Sequence, residues 1–233
     1  MNRDHWNELA ERFENEVMDM VQTDRNRVLR QMVSSIPETH RSTLVDLGCG
    51  IGTFIKTFGD LFDEVVGVDL SKRMLSRARR QCADLPHTSW LCADLKNAAE
   101  KLGEHADLTV CLNVITSGEL RRRKSQWTSL KKVTRRDGYL IVGVPSLESA
   151  KMVSEVEDDD DSDITDDGLV SRDGVYQKFF SREEIREALI KRGFDVCSIK
   201  RVYYDWSEEG MPEPPKNADG YPWDWACLAR RAA

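Results

Sequence analysis

Apolar positions along this chain fall into two alternating rhythms. From Trp6 they recur at Leu9, Ala10, Phe13, Val17 and Met20–Val21, three and four residues apart, the stripe of an amphipathic helix. A second helix is expected over about 24–35, with Val28, Leu29, Met32 and Val33 inward and Pro37 past its end. Short, nearly continuous apolar runs follow at Thr43–Leu47, Glu64–Asp69, Ser89–Cys92, Leu108–Leu112 and Tyr139–Val144. Helical patterns separate them near 52–61, 72–83, 96–102 and 119–136. Strands that are apolar on both faces and alternate with helices predict a parallel sheet covered on both sides.

Beyond Pro145 the rhythm changes. Ser146–Val156 reads as a helix, and Gly168–Phe180 alternates weakly about a turn at Arg172-Asp173-Gly174. Ser181-Arg182-Glu183-Glu184 is a capping box opening a helix that Gly193 would close. Strands are expected over Phe194–Tyr204 and Trp223–Ala229. The expectation is a single α/β domain over 1–233: an N-terminal helical cap at 1–40, a core at 41–146, an acidic insertion with a hairpin at 147–180, and a closing helix and strands at 181–233.

Composition narrows the class. The 233 residues are 40% hydrophobic and 32% charged, a soluble globular profile. No apolar run reaches the roughly 18–20 residues of a membrane span. The six cysteines stand singly, away from metal or redox spacing. With no signal-peptide core at the N-terminus, this predicts a reduced, cytoplasmic protein. The net charge of −7 argues against a broad nucleic-acid footprint, but it is unevenly placed. Nine acids lie between Glu155 and Asp167 with no base among them, and without them bases would exceed acids by two.

The candidate chemistry begins at Asp46-Leu47-Gly48-Cys49-Gly50-Ile51-Gly52, between a strand and a helix. Alternate glycines permit positive φ and close approach of a ligand to the backbone. In the first turn of a doubly wound sheet, such a loop borders the ligand crevice. Alone it is also an ordinary tight turn. The second strand then ends in an acid, Asp69, 19 residues past Gly50, where a carboxylate can accept both hydroxyls of a ribose. A plainer role for Asp69 is to cap the next helix. Asp94 follows the third strand, placed to accept from an adenine amine. Asp107–Asn113 opens with an acid and ends at a polar residue beside the first strand.

Taken together and in this order, Asp46-x-Gly48-x-Gly50-x-Gly52, Asp69, Asp94 and the Asp107–Asn113 strand resemble the class I S-adenosylmethionine-dependent methyltransferases over roughly 41–146. The resemblance implies a Rossmann-like, mostly parallel seven-stranded sheet in the order 3-2-1-4-5-7-6, strand 7 antiparallel, with an N-terminal helical lid. It implies S-adenosyl-L-methionine as cofactor. Asp46 and the backbone of Gly48, Cys49 and Gly50, in the loop ending at Gly52, would face its methionyl part. Asp69 would hold the ribose, with Leu70 and Met74 against the adenine. Asp94, with Ala93 and Leu95, would read the adenine edge, and the backbone of Leu112 and Asn113 would meet the methionyl amine. A dehydrogenase shares the ribose acid but spaces its glycines Gly-x-Gly-x-x-Gly, whereas here the third glycine is Gly52 and Thr53 follows.

The acceptor is less legible. Asn113-Val114-Ile115-Thr116 lacks the Asn/Asp-Pro-Pro-aromatic motif of the family's members acting on DNA amino groups, and no Pro-Cys pair marks a cytosine C5 enzyme. The resemblance is closer to the small-molecule members. Trp6 and Phe13 would shield the sulfonium through their ring faces or simply pack. His5 is the candidate base, and Tyr176 is the aromatic singled out for the acceptor pocket among Tyr203, Tyr204, Trp206, Tyr221, Trp223 and Trp225. The basic helix at 119–136 would either be solvated or dock RNA or an acidic protein. The acidic run would be a surface loop, a selector of cationic acceptors, a divalent-ion binder or a clamp on that helix, and it lacks the Gly-and-Glu frame of a calcium-binding loop. A non-catalytic cofactor-binding scaffold is the reading from a different class.

Overall fold

The computed structural model describes residues 3–157, 164–172, 175–218 and 220–233. Five parallel strands, β1 (Thr43–Leu47), β2 (Glu64–Asp69), β3 (Thr88–Cys92), β4 (Ala106–Leu112) and β5 (Thr134–Pro145), form the first part of the sheet. A separate hairpin, β6 (Leu169–Arg172) with β7 (Val175–Lys178), intervenes before β8 (Phe194–Tyr203) and β9 (Trp223–Arg231). The seven-stranded sheet runs β3-β2-β1-β4-β5-β9-β8, with β9 antiparallel to both neighbours. This is the predicted Rossmann-like order, since β8 and β9 stand in for strands 6 and 7 of the expected pattern.

The helices are α1 (Arg3–Leu9), α2 (Phe13–Glu16), α3 (Met20–Thr23), α4 (Val28–Ser35), α5 (Thr53–Phe58), α6 (Lys72–Gln81), α7 (Leu95–Leu102), α8 (Leu120–Val133), α9 (Leu147–Glu157) and α10 (Arg182–Ile190). Side chains that alternate along β1 feed two cores. Val45 and Leu47 pack with Trp127 and Leu130 of α8 and Ile185 and Leu189 of α10. Leu44 packs with Leu29 and Met32 of α4 and Ile55 of α5. The foot of the sheet is stitched by buried Asp107, which accepts from Thr43 N at 2.9 Å and pairs with Arg135. Among the described residues, no helix is long and apolar enough to cross a membrane.

The N-terminal stripe does not form the single helix its period predicts. It breaks into α1, α2 and α3, and aspartates account for part of the break. Asp19, extended at φ −94° and ψ 103°, caps α3 by accepting from Val21 N at 2.9 Å. Asp24 accepts from Val28 N and Leu29 N at 2.9 and 2.8 Å, so α4 starts later than expected. A short acidic side chain that bonds nearby backbone competes with continuing the helix. The broken segment is fastened to α6: Asn7 Oδ1 accepts from Ser71 Oγ at 2.7 Å, and Arg77 donates to Ala10 O and pairs with Glu14.

The capping box forms as read, and Gly193 closes α10 at φ 78°. Residues 158–163 of the acidic run lie outside the described residues, as do 173–174 of the expected turn. Its far end is anchored. Lys178, 3% exposed, donates from Nζ to Asp167 O at 2.6 Å and to Glu184 Oε1 at 2.7 Å. The Thr165 hydroxyl, with Lys178 and Arg123 nearby, holds exposed Asp167 below the usual carboxylate range. On α8, Arg123 and Trp127 are buried while Arg121 and Lys124 are exposed. Because Lys178→Met would leave those acceptors without their buried donor, it should cost about 1–3 kcal/mol, read as a lower urea midpoint at unchanged slope.

Candidate active site

The carboxyl ends of β1 and β4 meet where the strand order reverses, the place where open parallel sheets bind ligands. A cleft of about 760 Å³ opens there. Its floor is the loop after β1. Gly48 sits at φ 84°, and its N–H, like that of Cys49, donates to Val68 O, at 2.8 and 2.9 Å. A side chain at Gly48 would overlap Val114, at 2.3 Å from its Cγ2, so only glycine fits. Gly52 does other work. It lies outside the cleft wall, and a Cβ there would crowd Ala78 and Cys82 of α6 at 3.1 and 3.2 Å.

Asp69 ties the loop to the second strand. Its Oδ2 accepts from Gly50 N at 3.1 Å and its Oδ1 from Ser71 N at 2.7 Å. The cap of α6 is Ser71, which accepts from Met74 N, so the plainer role considered for Asp69 belongs to its neighbour. Burial pushes the Asp69 carboxyl up to about 6, with the backbone donors opposing. Asp46, 3% exposed at the end of β1, is pushed up to about 8 by burial first and then by the charges of Asp69 and Asp19. Burial beside the same acids raises the Cys49 thiol well above its ordinary value. The inner cleft is therefore a concentration of acidic groups whose ionisation burial opposes and a bound cation would favour.

The other expected residues divide. Leu70, Met74, Asp94, Leu95, Leu112 and Asn113 all line the cleft with Asp46, Gly48, Cys49, Gly50 and Asp69. Asp94 also caps α7, its two oxygens engaged by Asn97 N at 2.8 Å and Asn97 Nδ2 at 2.9 Å. Ala93 is buried outside the wall and donates its N–H to Asp69 O at 3.0 Å. Trp6 and Phe13 stand in the wall, Phe13 against Gly50, 3.5 Å from where a Cβ would be. His5 stands outside it, its ring edge-on to Trp6. Tyr176 is 53% exposed on the β7 hairpin, away from the cleft. Trp223 and Trp225 belong to the core.

Several wall residues lay beyond the sequence reading. Met18 to Val21 enter because the N-terminal stripe is broken and folds over the β4 and β5 ends. Met20 Sδ lies 2.6 Å from where a Gly143 Cβ would stand. Arg122, Ser125 and Gln126 share one face of α8, and their spacing of three and four was legible. Asn113 holds φ 54°, in the left-handed region that asparagine enters more readily than other non-glycine residues. Its Oδ1 is buried without a hydrogen bond, as is Gln126 Oε1.

A family model described as a methyltransferase domain matches residues 44–138, spanning the glycine loop, Asp69, Asp94 and Asn113. Over those residues the chain is similar to a methyltransferase domain. Two curated relatives are trans-aconitate 2-methyltransferases. The one from an Azoarcus species is 37% identical over 75 residues, 31% of this chain and 28% of the relative. The one from Paracidovorax citrulli is 34% identical over 106 residues, 44% of this chain and 36% of the relative. The matches thus span about a third of the relatives' length. Among solved structures, the magnesium protoporphyrin IX methyltransferase of Synechocystis with bound SAM superposes with TM-score 0.64 at 16% identity, covering 99% of this chain and 95% of that one. An S-adenosylmethionine-dependent methyltransferase from Clostridium acetobutylicum does so with TM-score 0.63 at 17% identity, covering 98% and 100%. The fold is therefore shared over nearly the whole chain.

Proposed function

We propose that this chain transfers a methyl group from S-adenosyl-L-methionine to a small-molecule acceptor. The observation that carries the reading is Asp69, at the end of β2 and bonded to the glycine loop, with its carboxylate in the wall of a cleft at the reversal of strand order. When bound, the cofactor would supply an electrophilic methyl group on a cationic sulfur. Asp69 would hold the ribose, Leu70 and Met74 the adenine face, and Asp94 its edge. Asp46, buried among acids without a cation, fits a methionyl ammonium. Trp6 and Phe13 would keep water from the sulfonium, and alignment with water exclusion contributes up to roughly 7–11 kcal/mol to such a displacement.

A small acceptor is supported by the part that the N-terminal helices take in the cleft wall and by relatives named for trans-aconitate. Arg3, Lys96 and Arg122 also line the cleft, opposite in sign to its floor, and favour an acidic acceptor. Calorimetry should show S-adenosylmethionine and its demethylated product binding at one site, and a turnover screen over small acids should yield a methylated product by mass spectrometry. No binding of either compound by the wild-type chain would refute the reading.

A further inference from the structure

Two carboxyls in the cleft wall are incompletely engaged. Asp46, 3% exposed at the end of β1, accepts no hydrogen bond among the described residues, and burial and the charges of Asp69 and Asp19 act on it. Asp69 differs, since both its oxygens accept from backbone N–H groups. Asp19 uses one oxygen to cap α3: Oδ1 accepts from Val21 N at 2.9 Å and from Gln22 N at 3.4 Å. Its Oδ2 has no donor among the described residues. A buried carboxyl without a donor is costly, so such an exception calls for a partner. The chain brings the two acids together from separate elements. Met20, next to Asp19, and Leu112 both lie at Gly143, so the cap segment carrying Asp19 crosses the ends of β4 and β5. On the parallel neighbour of β4, Asp46 stands beside Val110, two residues short of Leu112. Asp46 thus belongs to the sheet and Asp19 to the segment laid across it, and both face the cleft.

Resting on the function proposed above, we infer that Asp19 is a second positioning residue for the cofactor, holding the methionyl ammonium together with Asp46. A cation between the two carboxyls relieves their repulsion and supplies charged donors to oxygens that lack them. Because Asp19 belongs to the N-terminal cap, the charge of the ligand also draws residues 3–23 onto the cleft. The cap then closes on a ligand that carries the ammonium and stays looser on one that does not.

The test compares wild type, Asp19→Asn and Asp4→Asn. Asp19→Asn keeps the α3 cap, because asparagine caps as well as aspartate, and removes only the charge. Asp4→Asn removes an equal charge from another part of the same cleft wall. Calorimetry measures affinity for S-adenosylhomocysteine and for methylthioadenosine, which lacks the methionyl ammonium. Asp19→Asn should weaken S-adenosylhomocysteine at least about tenfold and methylthioadenosine less than about threefold, and Asp4→Asn should weaken either less than about threefold. With S-adenosylhomocysteine saturating, amide exchange over 3–23 should slow in wild type at least about threefold more than in Asp19→Asn. Unchanged affinity in Asp19→Asn, or an equal loss for both ligands, would overturn the role of Asp19. An equal loss in Asp4→Asn, or equal protection of 3–23, would overturn it too. Failure of wild type to bind S-adenosylhomocysteine would instead refute the underlying function.

Discussion

Asp69→Ala should lose at least a hundredfold in affinity for S-adenosylhomocysteine, measured by calorimetry at pH 7.5 on a variant whose circular dichroism is unchanged. Two contributions add. The carboxylate is expected to accept from both ribose hydroxyls, and hydrogen bonds to a charged group contribute about 1.5–3 kcal/mol each. It also accepts from Gly50 N and Ser71 N, so its removal loosens the loop over which the ligand would lie. Asp69→Asn, which keeps one oxygen and no charge, should fall between. The carboxyl titrates at about 6 in the free protein because it is buried. Affinity should therefore decline as pH falls through that value, where the neutral acid replaces the acceptor. Undiminished binding by Asp69→Ala would remove this residue from the site.

Asp46→Asn should show a second large effect, of opposite sign for stability and binding. Burial and the neighbouring acids raise the Asp46 carboxyl from 3.8 to about 8 in the folded chain. The folded state then holds a proton that the unfolded state releases. This contribution is complete below pH about 4 and is lost as pH rises toward 8. The wild type should lose thermal stability over that window, and the variant should lose less. At pH 9 the variant should be more stable on the order of 3 kcal/mol, or roughly 6–12 °C in Tm, and near wild type at pH 4. Binding should move the other way, with at least about a tenfold weaker hold on a ligand bearing the methionyl ammonium. Parallel Tm curves for the two proteins across pH 4–9 would show that Asp46 is not strained by its surroundings.

What could be read in advance follows from which forces act locally. Strand and helix positions in the core were legible because β1, β2 and β4 are mostly apolar and their helices carry clear stripes. The strand order came from the family resemblance, since periodicity does not say which edge β9 joins. The N-terminal stripe misled because its period is helical while Asp19 and Asp24 bond the backbone and interrupt it. The glycine loop, Asp69 and Asn113 stand close in sequence to their roles. Asp224 does not: it meets Asn113 only because β9 enters beside β5. The pairing at 111 residues' separation has no signature in either segment.

The placement of β9 has a consequence for the order in which the molecule can assemble. β5 is synthesised with one edge open, and β8 emerges before it has any strand to pair with in the sheet. Both wait for Trp223–Arg231, whose insertion fills the gap between them. Pairing between segments so distant in sequence is slow, and exposed edges invite association between chains. Newly made chains should therefore be most prone to aggregation in the interval between release of β5 and arrival of β9.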